Sequence, residues 1–263
     1  MIAAALDGFV IDLDGTVFRG DRVIEGAPEA IATLRQAGKR FVFLSNRGNI
    51  SRAMCRARLS RYGIEAAEEE IVLSSTVTAR YLLDREPDSR VWTLGDDGLR
   101  EELASCGIMH AERPEAADWL VITLHETLTY RDLNEAFRAV RHGARIIATN
   151  EDRSFPGAEG DQIDVAGMIG AITASTGAKV EVVVGKPSAY MAEAALSALG
   201  LPADRCLMIG DSIESDIGLG KRSGMKTALV LSGSTVEGTD ESWTARPDWV
   251  WSSIAELVRI VGF

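Results

Sequence analysis

Two carboxylates set two residues apart close an apolar run near the start of the chain, in FVIDLDGTVF at residues 9–18. On an extended chain the side chains of Asp12 and Asp14 leave on the same side, and Gly15 then lets the backbone turn. Carboxylates crowded at the end of a buried strand repel one another and lose solvation. A divalent cation relieves both problems, and oxygen ligands of this kind suit magnesium. Three more stretches carry reactive or polar groups where an apolar run stops or the next helix starts. They are Ser45-Asn46, Gly185-Lys186-Pro187, and Gly210-Asp211-Ser212 with Asp216 five positions after Asp211. Taken singly, each is ordinary turn or capping chemistry. Four of them in this order, each at a strand end, point to one site.

That set matches the requirements of phosphoryl transfer. A carboxylate nucleophile divides hydrolysis into two easier displacements through an acyl phosphate. Its approach to a phosphate dianion is repulsive, so a cation held by acidic ligands and a lysine must supply positive charge. Hydroxyl and amide donors at strand-to-helix turns hold the non-reacting oxygens. A second carboxyl gives a proton to the leaving oxygen and later takes one from water. A transferase that passes the group to another acceptor would use the same parts. A phosphate-binding module without turnover would lack the acid or the lysine, whereas Asp14 and Lys186 are both present.

The elements that must position these residues alternate. After the opening strand, residues 27–37 have helical period, with Pro28 suited to a first turn and Gly38 to a stop. Residues 41–45 read as a second buried strand. A right-handed strand–helix–strand crossover makes the two strands parallel, with both ends on one sheet edge, which is the edge where open α/β sheets bind ligands. A helix carrying Met54, Leu59 and Tyr62 follows, then a short strand in IVLSS and a helix over 77–84. Polarity rises around REPDS, which predicts a domain crossing near residue 85. A second α/β rhythm occupies 85–181: strands in VWTLG, WLVITL and RIIAT, helices over 97–106, 129–142 and 167–175, and a polar loop over 150–164. VEVVVGK leads back to the first domain. The tail then predicts helices over 188–199 and 213–223, strands in CLMIGD and TALVLSG, and a surface helix in SIAELVRIV. The expected architecture is a Rossmann-like, doubly wound parallel α/β core over 1–84 and 182–263 with an inserted α/β domain over 85–181.

Bulk properties narrow the function. A net charge of −11 argues against general binding to nucleic acid or anionic membrane, which needs a basic footprint. The three cysteines form no CxxC pair and read as reduced thiols. His110, His125 and His142 lack ligand spacing, so no zinc site is expected. The first residues lack a basic n-region, and no apolar run approaches the roughly 18 residues that span a membrane. A cytoplasmic protein is the expectation.

DLDGT, SN, GKPSAYM and GDSIESDI resemble the four motifs of haloacid-dehalogenase-type phosphatases, and residues 7–230 carry the likeness. The insertion resembles the large α/β cap of the NagD-like, nitrophenylphosphatase branch. The resemblance implies that Asp12 is the phosphorylated nucleophile and Asp14 the general acid and base. It implies magnesium held by Asp12, the main-chain carbonyl of Asp14 and Asp211, with Asp216 in support and Thr16 fixing the turn. Ser45, Asn46 and Lys186 would hold the phosphate. Dehalogenases of the superfamily lack the second aspartate, so Asp14 points to a phosphatase. The substrate is expected to be a small phosphorylated metabolite such as a nucleotide or sugar phosphate, selected by the cap loop over 150–160. Asn150 and Phe155 of that loop are candidate substrate contacts. Arg47 is another, standing where the branch commonly has asparagine. IDVAGMIG also departs from the Pro-Gly-rich turn usual before the last cap helix. Members of the branch commonly form homodimers through the cap.

Overall fold

The computed structural model describes residues 6–157, 160–235 and 243–261. By contacts the chain divides into two compact units, one of residues 1–45, 56–72 and 186–263, the other of 46–55 and 73–185.

The first unit is built on a six-stranded sheet. Its spatial order is Trp249–Trp251, Lys226–Val230, Cys206–Gly210, Gly8–Asp12, Arg40–Ser45, Ile71–Leu73. Gly8–Asp12 pairs in parallel with Arg40–Ser45 on one side and Cys206–Gly210 on the other. Both GFVID and CLMIG are buried at every position, as parallel strands covered on two faces require. Ile11 and Ile209 are fully buried, and truncating either to alanine would cost about 2–5 kcal/mol. From the opening strand the chain first runs outward through Arg40–Ser45, then returns to build on the opposite side. The sheet order therefore reverses between Gly8–Asp12 and Cys206–Gly210, and a crevice forms at their carboxyl ends.

Three elements here differ from the sequence expectation. A short hairpin, Phe18–Arg19 with Arg22–Val23, follows the opening strand. The helix expected over 213–223 begins as a wide π-helical turn, Ile213–Ile217, before the α-helix Gly218–Ser223. An edge strand, Trp249–Trp251, is too short to show a period.

The second unit holds a five-stranded parallel sheet in the order Val180–Val183, Arg145–Ala148, Trp119–Ile122, Arg90–Leu94, Met109–His110. Leu120, Ile122 and Ile146 of this sheet pack with Val165 and Ile172 of the helix Val165–Thr176. The helix Tyr130–Arg141 opens with a capping box in which Thr129 and Asp132 exchange hydrogen bonds, satisfying amides that the first turn leaves free. The expected polar loop contains a hairpin, Ser154–Gly157 with Gly160–Ile163; its residues 158 and 159 lie outside the described residues. The expected crossing near 85 and the contact boundary near 73 differ by one helix, Ser74–Arg85. That helix packs on Asp97–Ser105, and a third segment shares the contact: Glu102 is buried and accepts from Arg52 and from Thr76. A buried carboxylate needs such partners, and they tie 46–55 and 74–85 to the second unit.

Candidate active site

At the reversal of the first sheet, one oxygen from each of Asp12, Asp211 and Asp216 falls within 4.8 Å of the others. All three residues are buried, at 5, 6 and 1% exposure. Asp12 ends its strand, Asp211 follows Cys206–Gly210 directly, and the π-helical turn carries Asp216 back so that its Oδ2 accepts from the Ser212 N–H at 3.0 Å. Lys186 Nζ reaches both Asp12 Oδ1 at 2.5 Å and Asp216 Oδ1 at 2.7 Å.

Glycine makes this crowding feasible. A Cβ on Gly15 or Gly233 would collide with the Asp211 carboxylate, and one on Gly210 with that of Asp216. Gly15 also has φ +91°, a conformation that L side chains rarely adopt. The turn after Asp12 is held by main-chain bonds, Val17 N–H and Phe18 N–H both reaching the Leu13 carbonyl. The Thr16 hydroxyl is buried and makes no hydrogen bond.

The electrostatics of the cluster are unbalanced. With all three carboxylates ionised, one ammonium would leave two negative charges in a buried space. Burial pushes the Asp12 carboxyl well above its usual range; Lys186 acts to lower it, while Asp216 and Asp211 act to raise it further. Burial, then Asp216, lifts Asp211 to about 6. Burial works against the Lys186 charge, yet Asp12 and Asp216 hold its pKa above the normal value. Asp12 Oδ2 is buried without a hydrogen-bond partner, an arrangement that costs free energy unless something else meets it. A hard divalent cation fits the donor set: it would restore neutrality and engage that oxygen.

Asp14 stands apart from the triad. Its carboxylate is about one-third exposed and meets Arg58 at 3.4 Å. Arg58 also donates to the Gly20 carbonyl and lies over the Phe18 ring at 4.2 Å, while Tyr62 hydrogen-bonds the Asp21 carbonyl. The helix after the second strand thus clamps the hairpin that follows Asp14. Ser45 is buried at the end of Arg40–Ser45, beside the opening strand.

The remaining sequence candidates fall in the second unit. The Asn46 carbonyl accepts from Ser74 and from the Asn150 side chain, and the Asn46 amide donates to Asp152 at 3.0 Å. Phe155 is half-buried in the hairpin opposite Gln162. Arg47 lines a cavity described below.

Sequence reasoning missed one segment of the first site. Residues 231–235 fold over Asp211. Its carboxylate accepts from the Ser234 N–H, its main-chain carbonyl accepts from the Thr235 hydroxyl at 2.6 Å, and Ser232 bonds the Gly15 carbonyl at 2.7 Å. Ser-Gly-Ser-Thr after an apolar run reads as a plain turn, and only the sheet order brings it to Asp211.

Buried carboxylates and a lysine at the reversal of a parallel sheet define a class, and comparison names it: the chain belongs to the haloacid dehalogenase-like hydrolases. The model of that family matches residues 9–109, and a second, HAD-hydrolase-like model matches 183–257. The sugar-phosphatase AraL of Bacillus subtilis is 60% identical over 96% of this chain and 92% of its own length. The 5'-nucleotidase YutF of the same organism is 32% identical over 97% and 98%. Among solved structures, the p-nitrophenyl phosphatase of Archaeoglobus fulgidus superposes with TM-score 0.90 at 34% identity, covering 97% of this chain and 99% of that one. The 4-nitrophenylphosphatase of Thermotoga maritima gives 0.92 at 31%, covering 99% of each. These relatives place the chain in the NagD-like branch and make it a phosphoric monoester hydrolase. None of the described helices is long and apolar enough to cross a membrane.

Proposed function

We propose that this enzyme hydrolyses the phosphate monoester of a small sugar or related metabolite, with magnesium, through a phosphorylated Asp12. The observation that carries the mechanism is the buried surplus of two negative charges around an unpaired Asp12 oxygen. The 60% identity to a sugar phosphatase supports the substrate class.

Asp12, Asp211 and the Asp14 carbonyl would hold the ion, with Asp216 beside them. When bound, the ion offsets charge on the phosphate and keeps Asp12 ionised. A carboxylate oxygen of Asp12 attacks phosphorus, and the bond from phosphorus to the ester oxygen breaks. The departing oxygen takes a proton from Asp14. Asp14 then removes a proton from water as that water attacks phosphorus, and the Asp12–phosphorus bond breaks to restore the carboxylate. Lys186 steadies Asp12 and, with Ser45 and Asn46, holds the non-reacting oxygens. The second unit acts as the cap that selects the leaving group, with Arg47, Asn150 and Phe155 as candidate contacts.

The test is phosphate release from a panel of sugar phosphates and nucleotides with magnesium, then with EDTA. Release that ends with EDTA, and a radiolabelled phosphoryl group trapped on wild type but absent from Asp12→Asn, is the expected result. Label appearing on an alcohol acceptor in place of free phosphate would favour a transferase.

A further inference from the structure

The turn after Asp12 contains a soft joint. Gly15 stands at φ +91°, and glycine restrains its own dihedrals less than any other residue. Its neighbours must fix it from outside. The Gly15 N–H donates to the Phe18 carbonyl at 2.6 Å, and the Thr16 N–H to the Leu13 carbonyl at 3.3 Å. The Gly15 carbonyl accepts from the Ser232 hydroxyl at 2.7 Å. The first two bonds are made by the main chain of the turn itself. The third comes from a side chain 217 positions later, in the same compact unit.

These bonds set the direction of a neighbouring group. The Asp14 carbonyl and the Gly15 N–H share one planar trans peptide, so they point in opposite directions. The bond to Phe18 therefore turns the Asp14 carbonyl away from the hairpin. The next peptide is held by Ser232. Between the two planes only the Gly15 φ and ψ can rotate. Gly15 also lies against Asp211, whose carboxylate a Cβ there would strike. Ser232 is itself anchored on both sides. The Leu231 N–H donates to the Trp251 carbonyl at 3.0 Å, and the Thr235 hydroxyl to the Asp211 carbonyl at 2.6 Å. One hydroxyl thus ties the 12–16 turn to the loop of Asp211, the two segments that carry the expected ion ligands.

We propose that Ser232 is a positioning residue for the divalent ion: by holding the Gly15 peptide it fixes the Asp14 main-chain carbonyl relative to Asp211. The proposal rests on the magnesium reading above and deepens it, because the Ser232 hydroxyl bonds a neighbouring carbonyl and not a ligand atom. Its influence should depend on the ion. Magnesium demands near-ideal octahedral geometry at short distances, whereas calcium accepts longer and more varied ones. A carbonyl released to rotate about Gly15 therefore harms a magnesium site more than a calcium site. A general loosening of the fold would weaken both alike.

The rise in melting temperature of the ion-free whole protein, followed against magnesium and then calcium concentration, gives a dissociation constant for each ion. In Ser232→Ala the constant for magnesium should rise about tenfold or more, as loss of a supporting hydrogen bond does at metal sites, and that for calcium about threefold or less. Ser232→Thr keeps the hydroxyl and should recover most of the magnesium affinity. Circular dichroism without ions checks that both variants fold. Unchanged magnesium affinity in Ser232→Ala, equal weakening of the two ions, or no recovery in Ser232→Thr overturns the proposal and leaves the magnesium reading standing. A wild-type protein whose melting temperature responds to neither ion strikes the magnesium reading itself, and this proposal with it.

Discussion

The two sheets of this chain reverse direction in the same way, yet their reversals are furnished differently. In the first unit the carboxyl ends are filled: three buried aspartates, a lysine between two of them, and glycines where any side chain would collide. In the second unit the reversal lies between Arg90–Leu94 and Trp119–Ile122, and their carboxyl ends are open, with a cavity of about 760 Å³ beside Asn49 and Asp96. One topology supplies a crevice in both. Packing decides whether it holds reacting groups to sub-ångström tolerance or leaves space for a varied ligand.

The filled site should break sharply. Asp12→Asn should lower kcat by about 10⁴-fold or more, as losing a nucleophile does, measured as phosphate release with folding checked by circular dichroism. Lys186→Met should lower kcat by about 10²–10³-fold. It also leaves Asp12 and Asp216 buried without their cation, and losing one partner of a buried pair costs about 3–5 kcal/mol. Denaturant unfolding without magnesium should record that loss, and excess magnesium should recover part of it.

Magnesium should also link the site to pH. The carboxyl of Asp211 titrates near 6 in the ion-free fold against an ordinary 3.8. A raised folded value means this group favours the folded state most below about pH 4, and that contribution disappears as pH rises through about 6. The ion requires the deprotonated form. The rise in melting temperature on adding magnesium should therefore be larger at pH 7 than at pH 5. An equal rise at both would remove Asp211 from the ion's ligands.

What the sequence disclosed follows the same division. The clustering of Asp12, Lys186 and Asp211 was legible because each ends or follows an apolar run, and parallel strands put such ends on one edge. The segment 231–235 was not, because its grip on Asp211 runs largely through main-chain and hydroxyl groups that any polar turn offers. Gly233 is the one distinctive signal there, and its reason is spatial: a Cβ would enter the Asp211 carboxylate. In the second unit strand order was equally hidden, so the reversal beside Asp96 could not be placed. REPDS read as a boundary because polarity marks exposure, whereas Ser74–Arg85 is assigned by the burial of Glu102 against Arg52 and Thr76. Gly233→Ala turns the missed segment into a measurement. It should raise the magnesium concentration needed for half-maximal activity by about tenfold, with a smaller change in kcat at saturating magnesium.

The smallest expected effect belongs to the one acidic residue of the first site that is not packed tight. Asp14 is partly open to solvent and its ion pair with Arg58 spans 3.4 Å, so the pair itself should contribute less than about 1 kcal/mol to stability. Arg58 does more through the hairpin, where it holds the Gly20 carbonyl and covers Phe18. Arg58→Met keeps much of the apolar cover and removes the charge and the donors. It should leave unfolding within about 1 kcal/mol of wild type and lower kcat about three- to tenfold, since a misplaced proton donor slows the step it serves. The loss should be larger for an alkyl phosphate than for p-nitrophenyl phosphate, whose leaving oxygen needs little protonation. An equal loss on both substrates would mean that Arg58 serves the phosphate site as a whole, and Asp14 would then belong with the rigid cluster after all.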